Sequence, residues 1–187
     1  MKGKDRAVLW MGALFIICLS FSCAASQEKK QKIEDAQIYF NLGTENLQRR
    51  EFDRAISFFN KSLELNPKDA EVFLNRGIAY RYKGEFDLAI SDYTRAIQLN
   101  RKDVRGYGNR GNAFLEKGQY DRAISDYNKA IEIDSTDGRV YFNRGVAYYY
   151  KGDYDKSWRD VYKAKEFGFE ASPEFLESLR KASGKTK

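Results

Sequence analysis

AEVFLNRGIAYRYKGEFDLAISDYTRAIQLNRKD, residues 70–103, is followed without a gap by VRGYGNRGNAFLEKGQYDRAISDYNKAIEIDSTD, 104–137, and GRVYFNRGVAYYYKGDYDKSWRDVYKAKEFGFEA, 138–171. A weaker copy, AQIYFNLGTENLQRREFDRAISFFNKSLELNPKD, occupies 36–69. The period is 34 residues and runs four times with no insertion. A fixed period of this length means that each unit is one supersecondary element, which buries its apolar face only by stacking on the next. That architecture favours binding over catalysis.

Each unit holds two amphipathic stretches at helical spacing, roughly unit positions 1–14 and 17–30. Gly84, Gly118 and Gly152 stop the first helix in three units, and Arg50 stands there in the first. Asp53, Asp87, Asp121 and Asp155 open the second helices, where a carboxylate complements the helix dipole. In the second unit the predicted core face is Phe73, Gly77 and Tyr80, facing Ala89, Ile90, Tyr93, Ala96 and Ile97. The fold class is therefore all-α: a solenoid of four helix–turn–helix repeats with a concave side.

These residues resemble the tetratricopeptide repeat (TPR) family. An aromatic holds position 4 (Tyr39, Phe73, Tyr107, Tyr141) and glycine position 8 (Gly43, Gly77, Gly111, Gly145). Alanine holds position 20 in three units, an aromatic position 24 (Phe59, Tyr93, Tyr127), and Pro67 closes the first unit. The departures fall at the edges: Asn46 in the first unit, and Ser157, Val161 and Lys165 in the last. Terminal repeats lack a neighbour on one side, so edge departures are expected. Beyond the fourth unit, Ser172-Pro173-Glu174 is a helix start, and Phe175, Leu176 and Leu179 form an apolar stripe. Residues 172–187 are thus expected to be a capping helix and tail.

Residues 1–23 read as a signal peptide. Lys2, Lys4 and Arg6 form a basic start, and Ala7 to Phe21 is uncharged and too short for a comfortable membrane span. The run ends Leu19-Ser20-Phe21-Ser22-Cys23, which resembles a bacterial lipobox, although Ser20 stands where leucine is usual and Phe21 is bulky. The resemblance implies lipidation at Cys23 and a place on the periplasmic side of a bacterial cell envelope. Cleavage near Ala24 or Ala25, which discards Cys23, and a retained anchor stay open as alternatives. Residues 24–35 read as a polar tether whose C-terminal part is already helical.

Composition narrows function. The chain has no histidine, and both cysteines lie within its first 23 residues. A histidine base, a His–Cys metal site and a disulfide in the repeats are excluded. The net charge of +6 is too mild and too evenly mixed to argue for nucleic acid. No acid pair stands apart from the repeat pattern, so no enzyme, cofactor or metal is expected.

One pairing is legible because the chain contains copies of itself. Position 7 is Arg76, Arg110 and Arg144 in three units, where position 23 is Asp92, Asp126 and Asp160. In the first unit both change together, to Leu42 and Phe58. The two positions are equidistant from the turn, which predicts an Arg–Asp ion pair inside each unit and an apolar contact in the first.

In the family the first helices line the concave side, and positions 2, 5, 6, 9, 12 and 13 form the stripe away from the core. Position 6 is asparagine in every unit: Asn41, Asn75, Asn109 and Asn143. Asparagine is a mediocre helix former, so four copies need a reason. A primary amide both donates and accepts, and can hold a peptide backbone. Asn112, Tyr82, Tyr150, Arg105 and Arg139 complete the candidate peptide-binding set. Hydrogen bonding to an adjacent helix, or plain descent from a duplicated unit, is the competing account of the asparagines. The carboxylate clamp of chaperone-tail binders needs lysine at position 5, which here is Phe40, Leu74, Gly108 and Phe142, so a C-terminal carboxylate ligand is not expected. The expected function is a non-catalytic protein-interaction adaptor of the envelope, for example in pilus or outer-membrane assembly. The alternative is a self-assembling scaffold.

Overall fold

The computed structural model describes residues 4–184, with side chains from residue 26 onward. Among these, the helices are α1 (Lys4–Gln48), α2 (Phe52–Leu65), α3 (Ala70–Tyr82), α4 (Phe86–Leu99), α5 (Val104–Glu116), α6 (Tyr120–Ile133), α7 (Gly138–Tyr150), α8 (Tyr154–Glu166) and α9 (Pro173–Ser183). Helices pair within units (α1–α2, α3–α4, α5–α6, α7–α8), and each second helix packs on the first helix of the next unit. Successive first helices also touch, α1 to α3, α3 to α5 and α5 to α7. First helices therefore form the inner wall of an all-α tetratricopeptide-type solenoid closed by a C-terminal helix.

The turn inside each unit is set by one left-handed residue. Gly84, Gly118 and Gly152 adopt φ of 79°, 72° and 80°, and Arg50 takes the same place at φ 61°. The next N–H then reaches back to a carbonyl of the finished helix, as from Glu85 to Tyr80 (3.0 Å) and Gln119 to Phe114 (2.8 Å). Between units, Asp69, Asp103 and Asp137 cap the first helices. Their carboxylates accept from the backbone N–H groups of Glu71 (3.0 Å), Arg105 (3.0 Å) and Arg139 (2.9 Å).

The core alternates small and large. Ala55, Ala89 and Ala123 are fully buried, as are Phe59, Tyr93 and Tyr127. A Cβ on Gly43, Gly77 or Gly111 would stand 2.5, 2.6 or 2.7 Å from a ring carbon of Phe59, Tyr93 or Tyr127. Glycine at position 8 is thus imposed by the aromatic at position 24. In the last unit Val161 replaces the ring, and the nearest neighbour of a Gly145 Cβ recedes to 3.2 Å.

The predicted ion pairs are present. Arg76 grips Asp92 through Nε (2.8 Å) and Nη2 (2.7 Å), and Arg110 grips Asp126 through the same nitrogens (2.8 Å each). Arg144 repeats this on Asp160 (2.7 Å each). The remaining nitrogen does something the copies alone did not disclose. Nη1 crosses to position 25 of the preceding unit, to Asn60 (2.6 Å), Thr94 (3.0 Å) and Asn128 (2.7 Å). Rings at positions 4 and 11 flank each guanidinium, as Phe73 (5.5 Å) and Tyr80 (5.9 Å) do for Arg76. Without the arginine the first unit needs no second ring, which accounts for Asn46. The opening aspartates gain a partner too: Asp53 meets Lys83 of the next unit (2.6 Å), Asp87 meets Lys117 (2.5 Å), and Asp121 meets Lys151.

Beyond the fourth unit α9 starts 35 residues after α7 and takes the place of a further first helix. The Ser172 hydroxyl caps it by accepting from the Phe175 N–H (3.2 Å), and Pro173 opens it. Phe175 lies against Phe142 (5.3 Å) and Tyr149 (5.5 Å). Leu179, at the position that is glycine in every unit, is fully buried. At the other end residues 26–35 continue α1 as an exposed helix with Glu28–Lys32 (2.7 Å) and Lys30–Glu34 (3.7 Å) pairs. Among the described residues no helix is long and apolar enough to cross a membrane. The side chains of the apolar run Ala7–Phe21 and of Cys23 lie outside the described residues.

Candidate functional site

The four position-6 asparagines sit on the inner wall and are used differently. Asn41 is exposed and accepts from Gln37 (3.0 Å). Asn75 turns back on its own helix, donating to the Glu71 carbonyl (2.8 Å) and carboxylate (3.3 Å). The half-buried amide of Asn109 has no hydrogen bond among the described residues. Asn143 donates across the α5–α7 seam to Asn112 Oδ1 (2.9 Å), which also accepts from the Tyr127 hydroxyl (2.7 Å). Burial pushes the Tyr127 phenol far above its ordinary pKa, so it stays a donor. With that oxygen doubly occupied, the Asn112 NH₂ and the Asn143 oxygen remain for another partner.

These groups line a groove of about 470 Å³ between α5 and α7. It gathers Asn109, Asn112, Asn143, Arg105 and Arg139 of the predicted set, with Val104, Gly108, Val140, Tyr127, Asp134 and Asp137. Asn41 and Asn75 lie on α1 and α3, outside it.

Tyr82 and Tyr150 are also elsewhere. Tyr82 stacks on Phe52 (5.4 Å, 12° between planes) and carries the Arg81 guanidinium at 4.9 Å. Tyr150 stacks on Tyr120 (5.4 Å, 10°). Each leans on the opening residue of the preceding unit's second helix, at the turn edge of the solenoid. Position 5 also departs from the expected groove stripe. Leu74 is buried among Tyr93, Ala96 and Ala113, and Phe142 is covered by Phe169 (5.0 Å) and Phe175. That position fills the seam between first helices.

The groove's arginines are already paired. Arg105 clamps Glu71 of the preceding unit (2.9 and 2.6 Å) and its own cap Asp103 (3.0 and 2.7 Å). Burial alone would raise the Asp103 carboxyl, but the Arg105 and backbone hydrogen bonds outweigh it and hold the group below the usual range. Arg139 is held by Asp137 (3.3 and 3.2 Å). The Thr136 hydroxyl (2.7 Å) and N–H (2.9 Å) lower the Asp134 carboxyl. What remains is amide dipoles between small apolar patches. Among the described residues no group of three or more His, Cys, Asp or Glu could hold a metal ion.

Two elements escaped the sequence reading: the Tyr127 hydroxyl that orients Asn112, and Gly108. The second had a visible signal, a helix-interior glycine where the other units place Phe40, Leu74 and Phe142.

A helix-hairpin solenoid whose inner wall offers an open groove is a protein-interaction module. Family models described as tetratricopeptide repeat match residues 36–69, 70–103 and 92–125, and one described as TPR repeat matches 111–152. The chain belongs to the tetratricopeptide repeat family, whose members are in general non-catalytic interaction scaffolds. Its fold is similar to a crystal structure of MamA (TM-score 0.69, 28% identity, covering 76% of this chain and 83% of that one). A MamA structure from Desulfovibrio magneticus RS-1, residues 41 to the end, is equally similar in fold (TM-score 0.70, 19% identity, 80% and 86% covered). The first TPR domain of Spaghetti (RPAP3) bound to the HSP90 peptide SRMEEVD is similar over a shorter stretch (TM-score 0.59, 23% identity, 62% and 94% covered). No curated protein matches the chain.

Proposed function

We propose that this protein is an adaptor of the bacterial cell envelope that binds an extended peptide segment of a partner protein in the α5–α7 groove. The observation that carries the reading is the amide set: Asn109, without a partner among the described residues, beside Asn112 and Asn143, which the Tyr127 bond leaves with one donor group and one acceptor for a ligand. Amides placed this way satisfy backbone N–H and C=O groups with little regard for side chains. The RPAP3 domain bound to an HSP90 peptide is a precedent for peptide capture on this fold. Here position 5 carries no lysine, so the segment is held by its backbone rather than by a terminal carboxylate.

Asn109→Ala/Asn143→Ala is expected to cut recovery of partner proteins from envelope extract at least tenfold relative to wild type, with the circular dichroism melt changed by a few degrees at most. Equal recovery of the same partners by both proteins would refute the groove.

The envelope placement rests on the leader and on Ser22-Cys23, with residues 24–35 holding the groove near a membrane surface. Metabolic labelling with a fatty-acid probe is expected to mark the wild type and leave Cys23→Ser unmarked. An unlabelled wild type removes the lipid anchor from the proposal.

A further inference from the structure

Gly108 sits in the middle of α5 with an ordinary helical backbone, since it is absent from the positive-φ glycines. Its conformation does not ask for glycine. Neither does its surrounding space: a Cβ built there meets nothing within 4 Å, whereas one on Gly106, two residues earlier, would stand 2.8 Å from Ile97. A helix-interior glycine with neither reason is a net loss of stability.

The other units show what belongs at this position. Leu74 is 2% exposed and closes the seam between α3 and α5. Phe142 closes the seam between α7 and α9. Phe40 packs on Phe59 (6.1 Å). Only at Gly108 is the seam plug missing, and there the groove opens. Val104 lies one turn before Gly108 on α5 and Val140 across the seam on α7, so the walls of the notch are apolar. The nearby guanidiniums are occupied by Glu71, Asp103 and Asp137, so none is free for an acidic side chain; the Asp134 carboxylate, bonded by Thr136, is the lining charge that no described cation pairs.

We infer that the notch over Gly108 is a specificity subsite that takes one large apolar side chain, leucine, methionine or phenylalanine, from the bound segment. The ligand supplies the plug that this unit lacks, while the amides of Asn109 and Asn143 hold its backbone. The inference rests on the groove reading proposed above and adds a sequence preference to it.

A displayed library of random dodecapeptides, selected on the full chain, tests it. Wild type is expected to enrich peptides with one large apolar residue at a fixed place in their alignment. An enriched peptide, made synthetically, should bind Gly108→Leu at least tenfold more weakly than wild type. That variant should at the same time melt about 2–4 °C higher, because a helix former replaces glycine. Gly108→Ala, which fills little of the notch, should melt higher and keep binding within about threefold. Unchanged binding by Gly108→Leu, or enriched peptides without a large apolar residue, would overturn the subsite. If Asn109→Ala/Asn143→Ala loses the peptide while Gly108→Leu does not, only the subsite fails. If neither loses it, or no peptide enriches, the groove reading fails with it.

Discussion

Arg110→Leu is expected to destabilise the chain by about 3–5 kcal/mol, and Arg110→Leu/Asp126→Phe to recover most of that loss. Asp126 is 5% exposed, and among the described residues the guanidinium that satisfies both its oxygens is the only cation bonded to it. Removing the cation leaves a carboxylate desolvated and unpaired, which costs more than the pair itself contributes. Removing both partners leaves no buried charge. The first unit has already made that exchange: with Leu42 and Phe58 in these places, Phe58 stacks on Tyr39 (6.5 Å, 22°). Tyr107 and Phe114, each 6.0 Å from the Arg110 guanidinium, stay to pack the new side chains. The third arm to Thr94 is lost in both variants, so recovery is incomplete. Denaturant midpoints at constant m-value, assembled into a double-mutant cycle, measure the coupling. A single variant that loses under about 1 kcal/mol, or a double variant as unstable as the sum of its parts, contradicts the account.

The contrast between Tyr127 and Tyr93 marks where copy-against-copy reading ends. Both are fully buried at position 24 and press on a glycine at position 8. The period alone makes them equivalent. Yet the Tyr127 hydroxyl meets Asn112, while the Tyr93 hydroxyl finds no such amide, since position 9 of its unit is Ile78, and has the Arg81 guanidinium beside it instead. The fold was legible because glycine, alanine and aromatic positions recur under one packing constraint. The Arg–Asp pairs were legible because their two ends change together in the first unit. The groove was only partly so, since an asparagine's job depends on neighbours one turn away or one unit away. Asn75 has Glu71 four residues before it and bonds it, whereas Asn143 finds Asn112 across the seam. Tyr82 and Tyr150 resembled groove residues by helical phase, but Phe52 and Tyr120 offered them flat ring faces at the turn edge.

Leu179→Ala is expected to cost about 2–5 kcal/mol of α9 docking and to leave the middle units intact. α9 keeps the 34-residue register, yet it carries leucine where all four units carry glycine. In the first three units glycine yields to a ring from the second helix of the same hairpin, and in the fourth to the backbone and side chains of Ser157, Asp160 and Val161. At this position of α9 a full leucine side chain fills the space, with no exposed surface. Truncating it leaves a cavity that only a rearrangement of α8 and α9 could close. The damage stays local because each unit of a solenoid contacts only its neighbours. Trp158 reports the event: its Nε1 donates to Ser183 at the end of α9 (3.0 Å), and its ring stacks on Tyr162 (5.7 Å). Undocking should shift its emission to the red and speed amide exchange through α9 and the α7 face under Phe175, with α3 to α6 still protected. Faster exchange spread evenly over all units would mean that the solenoid melts as one block and that α9 is not a separable cap.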